Sequence, residues 1–444
     1  MNQESNNRTK HHVLIVGGGF SGIQCAKELA SVDIDVTLVD RHNYHLFQPL
    51  LYQVATAVLS PADIAAPIRR VLRHQKNIRV VLAKLQNVDF DAQRAYFPNA
   101  TIDYDYLVLA TGVTHSYFGH DNWQILAPGL KTVDDALDIR RRVLTAYEAA
   151  EWEADDQARK AKLTFVVVGG GPTGVEMAGA LSEIASQTIP KDFRNIDTTT
   201  ARVILIEAAP RLLSALPEKL GDRALKDLTQ MGVEVRLNNL VTDIQPGIIN
   251  IGEEQLPAEN VIWAAGVRGP KFAEQLDVDL DTQGRIKVAN DLSLPRYKNV
   301  FAIGDLACFI EKKTGQPVPG VAPAAIQMGH YVARTIKTEM GNDTYQRQPF
   351  VYRDKGGMAT IGRNRAVASI AGLNFYGFAA WLVWSLVHII PLIDFRSKLA
   401  VIFNWVWNYF SLGKSARLIT GKPPMRVKEA LSVTKPVKKP GKRQ

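Results

Sequence analysis

The chain has 444 residues, a formal net charge of +9 and only two cysteines, Cys25 and Cys308, far apart and in no C-x-x-C pairing. That length is too great for one hydrophobic core, so two or three domains are expected. The cysteine usage excludes a disulfide framework, a zinc site and a dithiol mechanism, and no metal is expected. The first ten residues are polar, include an acid and lack an apolar run, which argues against a secretory signal or transit peptide.

In chain order, the apolar run Val13 to Val16 leads into glycines, a helical pattern and a second apolar run, Val36 to Val39, which closes on Asp40. Gly17, Gly19 and Gly22 fall at the G-x-G-x-x-G spacing of a dinucleotide turn, and Asp40, 18 positions after Gly22, is placed to accept from a ribose hydroxyl. Arg41 to Pro49 reads as a structured loop, Leu50 to Val58 as helical, and Pro61 to Leu72 as a helix capped by Ser60. This loop either lies against a bound dinucleotide or is only a packed connection. Ile78 to Leu85 and Arg94 to Phe97 read as strands, Leu107 to Gly112 as a buried strand ending in Ala-Thr-Gly, and Asp134 to Ala161 as one long charged helix.

The pattern then repeats. Phe165 to Val168 run into Gly169, Gly171 and Gly174, and Val203 to Ile206 end on Glu207 after a loop-rich insertion from Gln187 to Thr200. The two glycine motifs are 152 residues apart, and LVLATGV at Leu107 has its counterpart VIWAAGV at Val261, 154 residues on. Self-similarity at a fixed long offset predicts two copies of one dinucleotide-binding domain, and hence two cofactors facing each other. Near Asn299 to Asp305 a further strand ends in Gly-Asp, followed by a helix near Val321 to Met340. A carboxylate there suits the ribityl chain of a flavin, and the helix N-terminus suits negative charge on the ring. The chain thus returns to its first domain, predicted as residues 10–118 with 285–365, around a second domain of 119–284.

Ala366 to Ile393 are 28 residues without formal charge, interrupted by Gly372, Asn374, Gly377, His388 and Pro391. In the next stretch Leu399, Ile402, Phe403, Val406 and Phe410 recur at helical spacing, with Ser397, Asn404, Asn408 and Ser411 opposite. Four of the seven tryptophans lie between 381 and 407, and from Ser411 onward ten basic residues face one acid, so this end carries the whole net excess. Residues 366–412 are therefore expected to be a helical segment lying on an anionic lipid surface, with 413–444 a basic, flexible tail. A hydrophobic dimer interface is the alternative use of the same face, and both uses are compatible. Nucleic acid is not an expected partner.

The whole of this pattern resembles the type II, non-proton-pumping NADH:quinone oxidoreductases, flavoenzymes of the glutathione-reductase structural class. The resembling stretches are GGGFSG (17–22), HNYHLFQPLLYQVA (42–55), ATG (110–112), GGGPTGVEMAGAL (169–181), AAGV (264–267), AIGD (302–305) and the aromatic C-terminal region. The expected fold class is α/β, two Rossmann-like domains plus an amphipathic C-terminal membrane-association segment. The resemblance implies FAD held by Gly17, Gly18, Gly19, Phe20, Ser21, Gly22, Asp40, Arg41, Ala83, Thr111, Gly112 and Asp305. It implies NADH held by Gly169, Gly171, Gly174, Glu207 and Gly266; an acid at 207 disfavours a 2′-phosphate. Glu176 matches a family glutamate near the nicotinamide and flavin and is the candidate catalytic residue. Gln327 and Lys398 are candidates for quinone contact. The family commonly has two glutamines in an Ala-Gln-x-Ala-x-Gln stretch; Ala322 to Gln327 keeps the second and has Pro323 in place of the first.

The implied activity is hydride transfer from NADH to FAD and two electrons onward to a membrane quinone, by a peripheral homodimer on the cytoplasmic face of the cell membrane. Three rivals share parts of this pattern. A soluble reductase of ferredoxin-reductase or apoptosis-inducing-factor type would lack the aromatic end. A sulfide:quinone oxidoreductase would need reactive cysteines, and a non-enzymatic nucleotide sensor would show no turnover.

Overall fold

The computed structural model describes residues 10–342, 344–411 and 416–421. Its main strands, in chain order, are β1 (His12–Val16), β2 (Asp35–Asp40), β3 (Ile78–Leu82), β4 (Tyr106–Leu109), β5 (Thr164–Val168), β6 (Arg202–Glu207), β7 (Val233–Leu237), β8 (Asn260–Trp263), β9 (Val300–Ala302), β10 (Gly357–Gly362), β11 (Arg365–Ile370) and β12 (Leu373–Tyr376). The helices that matter here are α1 (Phe20–Leu29), α2 (Leu51–Ala55), α3 (Val133–Trp152), α4 (Pro172–Glu183), α5 (Ala322–Gly341), α6 (Gly377–Ile389) and α7 (Phe395–Ser411).

Two parallel sheets organise the molecule, in the orders β9-β4-β1-β2-β3 and β7-β6-β5-β8. Their central strands are unbroken apolar runs because helices and loops cover both faces; every residue of β1 and of β5 is buried. The two sheets share one register: Val16 stands opposite Val39 and Leu109, and Val168 opposite Ile206 and Trp263. Strand β9 pairs in parallel with β4, Phe301 opposite Val108, so a late segment of the chain completes the first sheet. The antiparallel sheet β10-β11-β12 lies against α4. Gly179 makes that contact possible, since a β-carbon there would stand 1.7 Å from the Ile361 carbonyl oxygen.

Several local expectations are corrected. Pro61 to Leu72 is not one helix but two short turns, Pro61–Ile64 and Ile68–Val71, separated by a strand, Ala65–Pro67, that pairs with Tyr44–Leu46. Ser60 does cap the first of them, its N–H donating to Asp63 at 2.8 Å. The helical run from Leu50 ends at Ala55, and β3 stops at Leu82. The long charged helix is broken after Trp152, because Asp155 starts a new helix by accepting from the Ala158 N–H at 2.7 Å.

The C-terminal segment is helical only from Gly377. Residues 366–376 lie in β11, β12 and the turn between them, where Gly372 adopts φ +80. Among the described residues no helix is long and apolar enough to cross a membrane. Helix α7 is turned inside out relative to a soluble surface helix. Ser397 is buried and Asn404 and Asn408 face the protein, whereas Phe403 and Phe410 are 67% and 80% exposed. Leu382, Leu386 and Ile390 of the neighbouring α6 segment are exposed as well. The basic tail lies outside the described residues apart from 416–421, where Arg417 pairs with Asp192.

Candidate functional site

At the carboxyl end of β1 the chain turns through Gly17 at φ +117, a conformation that favours glycine. A side chain there would also meet the Ala110 carbonyl oxygen at 2.2 Å, and one at Gly22 would meet the Gly17 carbonyl at 1.9 Å. These two positions set how closely strand, helix and the Ala-Thr-Gly loop converge. The Asp40 carboxylate accepts from the Gly18 N–H at 2.5 Å and the His42 N–H at 2.6 Å, which fixes it at the rim of the turn. Ala83 donates to the Asp40 carbonyl at 2.9 Å, so it stands beside the same rim, while Arg41 is exposed. Phe20 meets the His45 and Phe47 rings edge-on. His45 donates through Nδ1 to the Gly18 carbonyl at 2.9 Å, and burial holds its pKa below the ordinary value.

The residues fit an FAD. A β-carbon added at Gly19 or Gly112 would meet nothing within 4 Å, leaving open space at both flanks of the turn. The Thr111 hydroxyl is buried there with no hydrogen-bond partner among the described residues, an orphan that a ligand would satisfy. Asp305 reaches the same region from the loop after β9: Gly304 faces the Ser21 hydroxyl, and Gly320, just before α5, faces the Asp305 carboxylate. Lys131, which was not singled out from sequence, has its pKa lowered by burial and is opposed in this only by Asp305.

The second turn repeats the first. Gly169 adopts φ +111 against the Ala264 backbone, and a side chain at Gly174 would meet the Gly169 carbonyl at 1.8 Å. Glu207 accepts from the Gly170 N–H and from the Ala209 N–H, the latter at 2.7 Å. Gly171 faces open space, and Gly266 lies under the exposed Phe118 ring.

Between α4 and the C-terminal helices lies a cavity of about 130 Å³. Glu176 and Glu183 line it from α4, Tyr52 and Gln53 from α2, Trp381 and Trp384 from α6, and Trp405 and Asn408 from α7. The Gln53 amide donates to the Tyr52 hydroxyl at 2.8 Å and accepts from the Trp405 indole at 2.7 Å. Burial raises the pKa of Glu176 well above the ordinary carboxyl value, against weaker opposing contacts from the Thr360 backbone and Trp384. Trp384 faces that carboxyl without closing a hydrogen bond of ordinary geometry. Burial first, and Glu176 second, push the Tyr52 hydroxyl upward too. The Trp384 indole N–H and both polar atoms of the Asn408 carboxamide are buried at this cavity without a partner among the described residues; leaving such atoms unpaired costs about 1–3 kcal/mol each, so their cluster points to a ligand.

Of the two quinone candidates, neither lines this cavity. The Gln327 amide donates to the Pro323 carbonyl at 3.2 Å and the Arg353 carbonyl at 3.0 Å, and accepts from the Arg353 N–H at 3.0 Å. Lys398 sits in the first turn of α7, half-buried. Tyr52 and Gln53 lay inside the HNYHLFQPLLYQVA stretch, so a signal for them existed; Asn408 had none, since a polar residue on a helix reads as solvated.

Two dinucleotide turns, each at the end of its own parallel sheet, define a flavoprotein oxidoreductase of α/β fold. The family model described as pyridine nucleotide-disulphide oxidoreductase matches residues 11–329, and one described as NDH2 C-terminal domain matches 355–412. The chain is 44% identical over 425 residues to the type II NADH:quinone oxidoreductase Ndh of Mycobacterium tuberculosis, spanning 93% of this chain and 90% of that protein. It is 42% identical to NdhA of the same organism, over 93% and 90% of the two chains. The chain belongs to the type II NADH:quinone oxidoreductase family. Among solved structures, NDH2 from Plasmodium falciparum in complex with NADH superposes with a TM-score of 0.83 at 20% identity, over 93% of this chain and all of that one. The sulfide:quinone oxidoreductase of Aquifex aeolicus gives 0.69 at 21%, over 90% and 95%.

Proposed function

We propose that the chain is an FAD-dependent NADH dehydrogenase that reduces a membrane quinone without pumping protons. Bound FAD would supply a two-electron relay between NADH and the quinone, with the overall balance NADH, a proton and quinone giving NAD⁺ and quinol. The first turn, Asp40, Thr111 and Asp305 hold FAD, and the second turn holds NADH, with Glu207 selecting a ribose that lacks a 2′-phosphate. The observation that supports the reading is the cavity between Glu176 and the tryptophans of α6 and α7, because its walls come both from helix α4, which follows the second glycine turn, and from the two C-terminal helices. Burial raises the pKa of the Glu176 carboxyl at its end of that cavity, and it is the group we assign to proton delivery.

The outward residues of α6 and α7, with the basic tail beyond them, are proposed to seat a homodimer on anionic lipid at the cytoplasmic face of the cell membrane. Sulfide chemistry is disfavoured because Cys25 and Cys308 are both buried, unpaired thiols whose pKa values burial raises.

The direct test is FAD content and NADH:quinone turnover of the purified chain in lipid vesicles. Stoichiometric flavin and sustained turnover are expected; a colourless protein, or turnover confined to soluble acceptors, overturns the proposal. Truncation before residue 377 is expected to abolish flotation with anionic vesicles, and unchanged flotation would place the anchor elsewhere.

A further inference from the structure

Helix α7 carries a carboxamide whose two polar atoms are both buried and unpaired among the described residues, that of Asn408. An amide offers two donors and an acceptor, and folded proteins seldom leave such a group unsatisfied. The position is held from both sides. The Arg363 guanidinium donates to the Asn408 backbone carbonyl at 3.2 Å and lies over the Tyr409 ring, while Trp405, three residues earlier, donates to the buried Gln53. The amide therefore faces the cavity because its helix is fixed there. The Gln327 amide, in contrast, is already engaged by the Pro323 and Arg353 backbone.

We infer that the Asn408 side-chain N–H is the hydrogen-bond donor to a quinone carbonyl, with the head group lodged between Asn408 and Glu176. The inference rests on the cavity being the quinone site, as proposed above. A carbonyl acceptor satisfies the amide donor and leaves the amide oxygen facing the reduced product, whose hydroxyl can donate to it. Asn408 is thereby a specificity-determining residue: it selects a ligand bearing an acceptor that becomes a donor on reduction.

The test uses the full chain with bound flavin in vesicles and a short-chain benzoquinone as substrate. Asn408→Leu, similar in shape but without a donor, is expected to raise the quinone KM at least ten-fold. Flavin reduction by NADH in a stopped-flow experiment stays within two-fold of wild type. Asn408→Asp, which loses the donor but not the polarity, gives the same rise, and Asn408→Gln recovers part of the loss. Ser385→Trp, which fills the cavity from α6, serves as the control on the site itself. If Ser385→Trp abolishes quinone turnover while Asn408→Leu and Asn408→Asp leave KM unchanged, the Asn408 assignment fails and the cavity reading stands. If neither cavity filling nor loss of the donor alters quinone kinetics, the cavity is not the quinone site and both fall.

Discussion

The two glycine turns are the same device set in different surroundings. Each has a positive-φ glycine against an Ala backbone and an acid that ties down the second glycine's N–H. Around the first turn the chain adds an orphan Thr111 hydroxyl, the buried His45–Phe47 loop and a late segment bearing Asp305. Around the second it offers buried Leu212 against Gly170, the Ala264 and Ala265 backbone against Gly169, and Gly266 beneath an exposed Phe118. Under the proposed function the first turn, approached by the Asp305 segment, is the closed half that keeps a resident cofactor, and the second, beside the exposed Phe118, is the open half where a nucleotide comes and goes.

The largest effects should come from filling the turns. Gly17→Val adds a side chain that collides with the Ala110 backbone at a φ of +117, so the purified protein is expected to be flavin-free by absorbance. Gly169→Val creates the matching collision in the second half and should leave flavin content intact while slowing NADH reduction of the flavin at least 100-fold in stopped-flow traces. Equal flavin loss in both variants would break the distinction between a closed and an open half.

Next comes nucleotide choice. Glu207→Arg removes the ribose acceptor and supplies a cation for a 2′-phosphate, so kcat/KM is expected to fall at least ten-fold for NADH and to rise for NADPH in steady-state assays. Asp40→Asn, in the enclosed half, should leave the NADH/NADPH ratio untouched.

A smaller effect follows from Glu176, whose folded-state pKa burial raises above its ordinary 4.5. Below that ordinary value both folded and unfolded carboxyls are protonated, and the associated stability is fully present; as pH rises toward the folded pKa it is lost. Glu176→Gln cannot ionise, so its melting temperature relative to wild type should increase between pH 5 and pH 8 by calorimetry. A constant difference would mean that the carboxyl is not desolvated. The smallest effect is expected at the surface: Phe403→Ser with Phe410→Ser should change unfolding free energy by no more than about 0.5 kcal/mol, yet weaken vesicle binding in a flotation assay.

Much of this was legible in the sequence because the informative signals are local. An apolar run entering Gly17 or Gly169 fixes strand, turn and helix within a few residues, and the near-constant offset exposes the duplication. The region from Arg41 to Leu72 was legible only as a loop followed by helical content, because Tyr44–Leu46 finds its partner Ala65–Pro67 well along the chain, a pairing that no window of residues displays. Asn408 was legible as a polar position on α7 and nothing more; its meaning depends on which side of that helix is inward, and here the apolar stripe faces out.

The bond from Trp405 to Gln53 joins the outermost helix to the buried loop that follows the first nucleotide turn. Lifting α7 from the body of the protein would strip that amide of its partner and open the cavity wall in the same motion. On the proposed reading, the helix that presents the apolar face outward also walls the quinone cavity, so a change in how that helix is seated would reach both attachment and turnover.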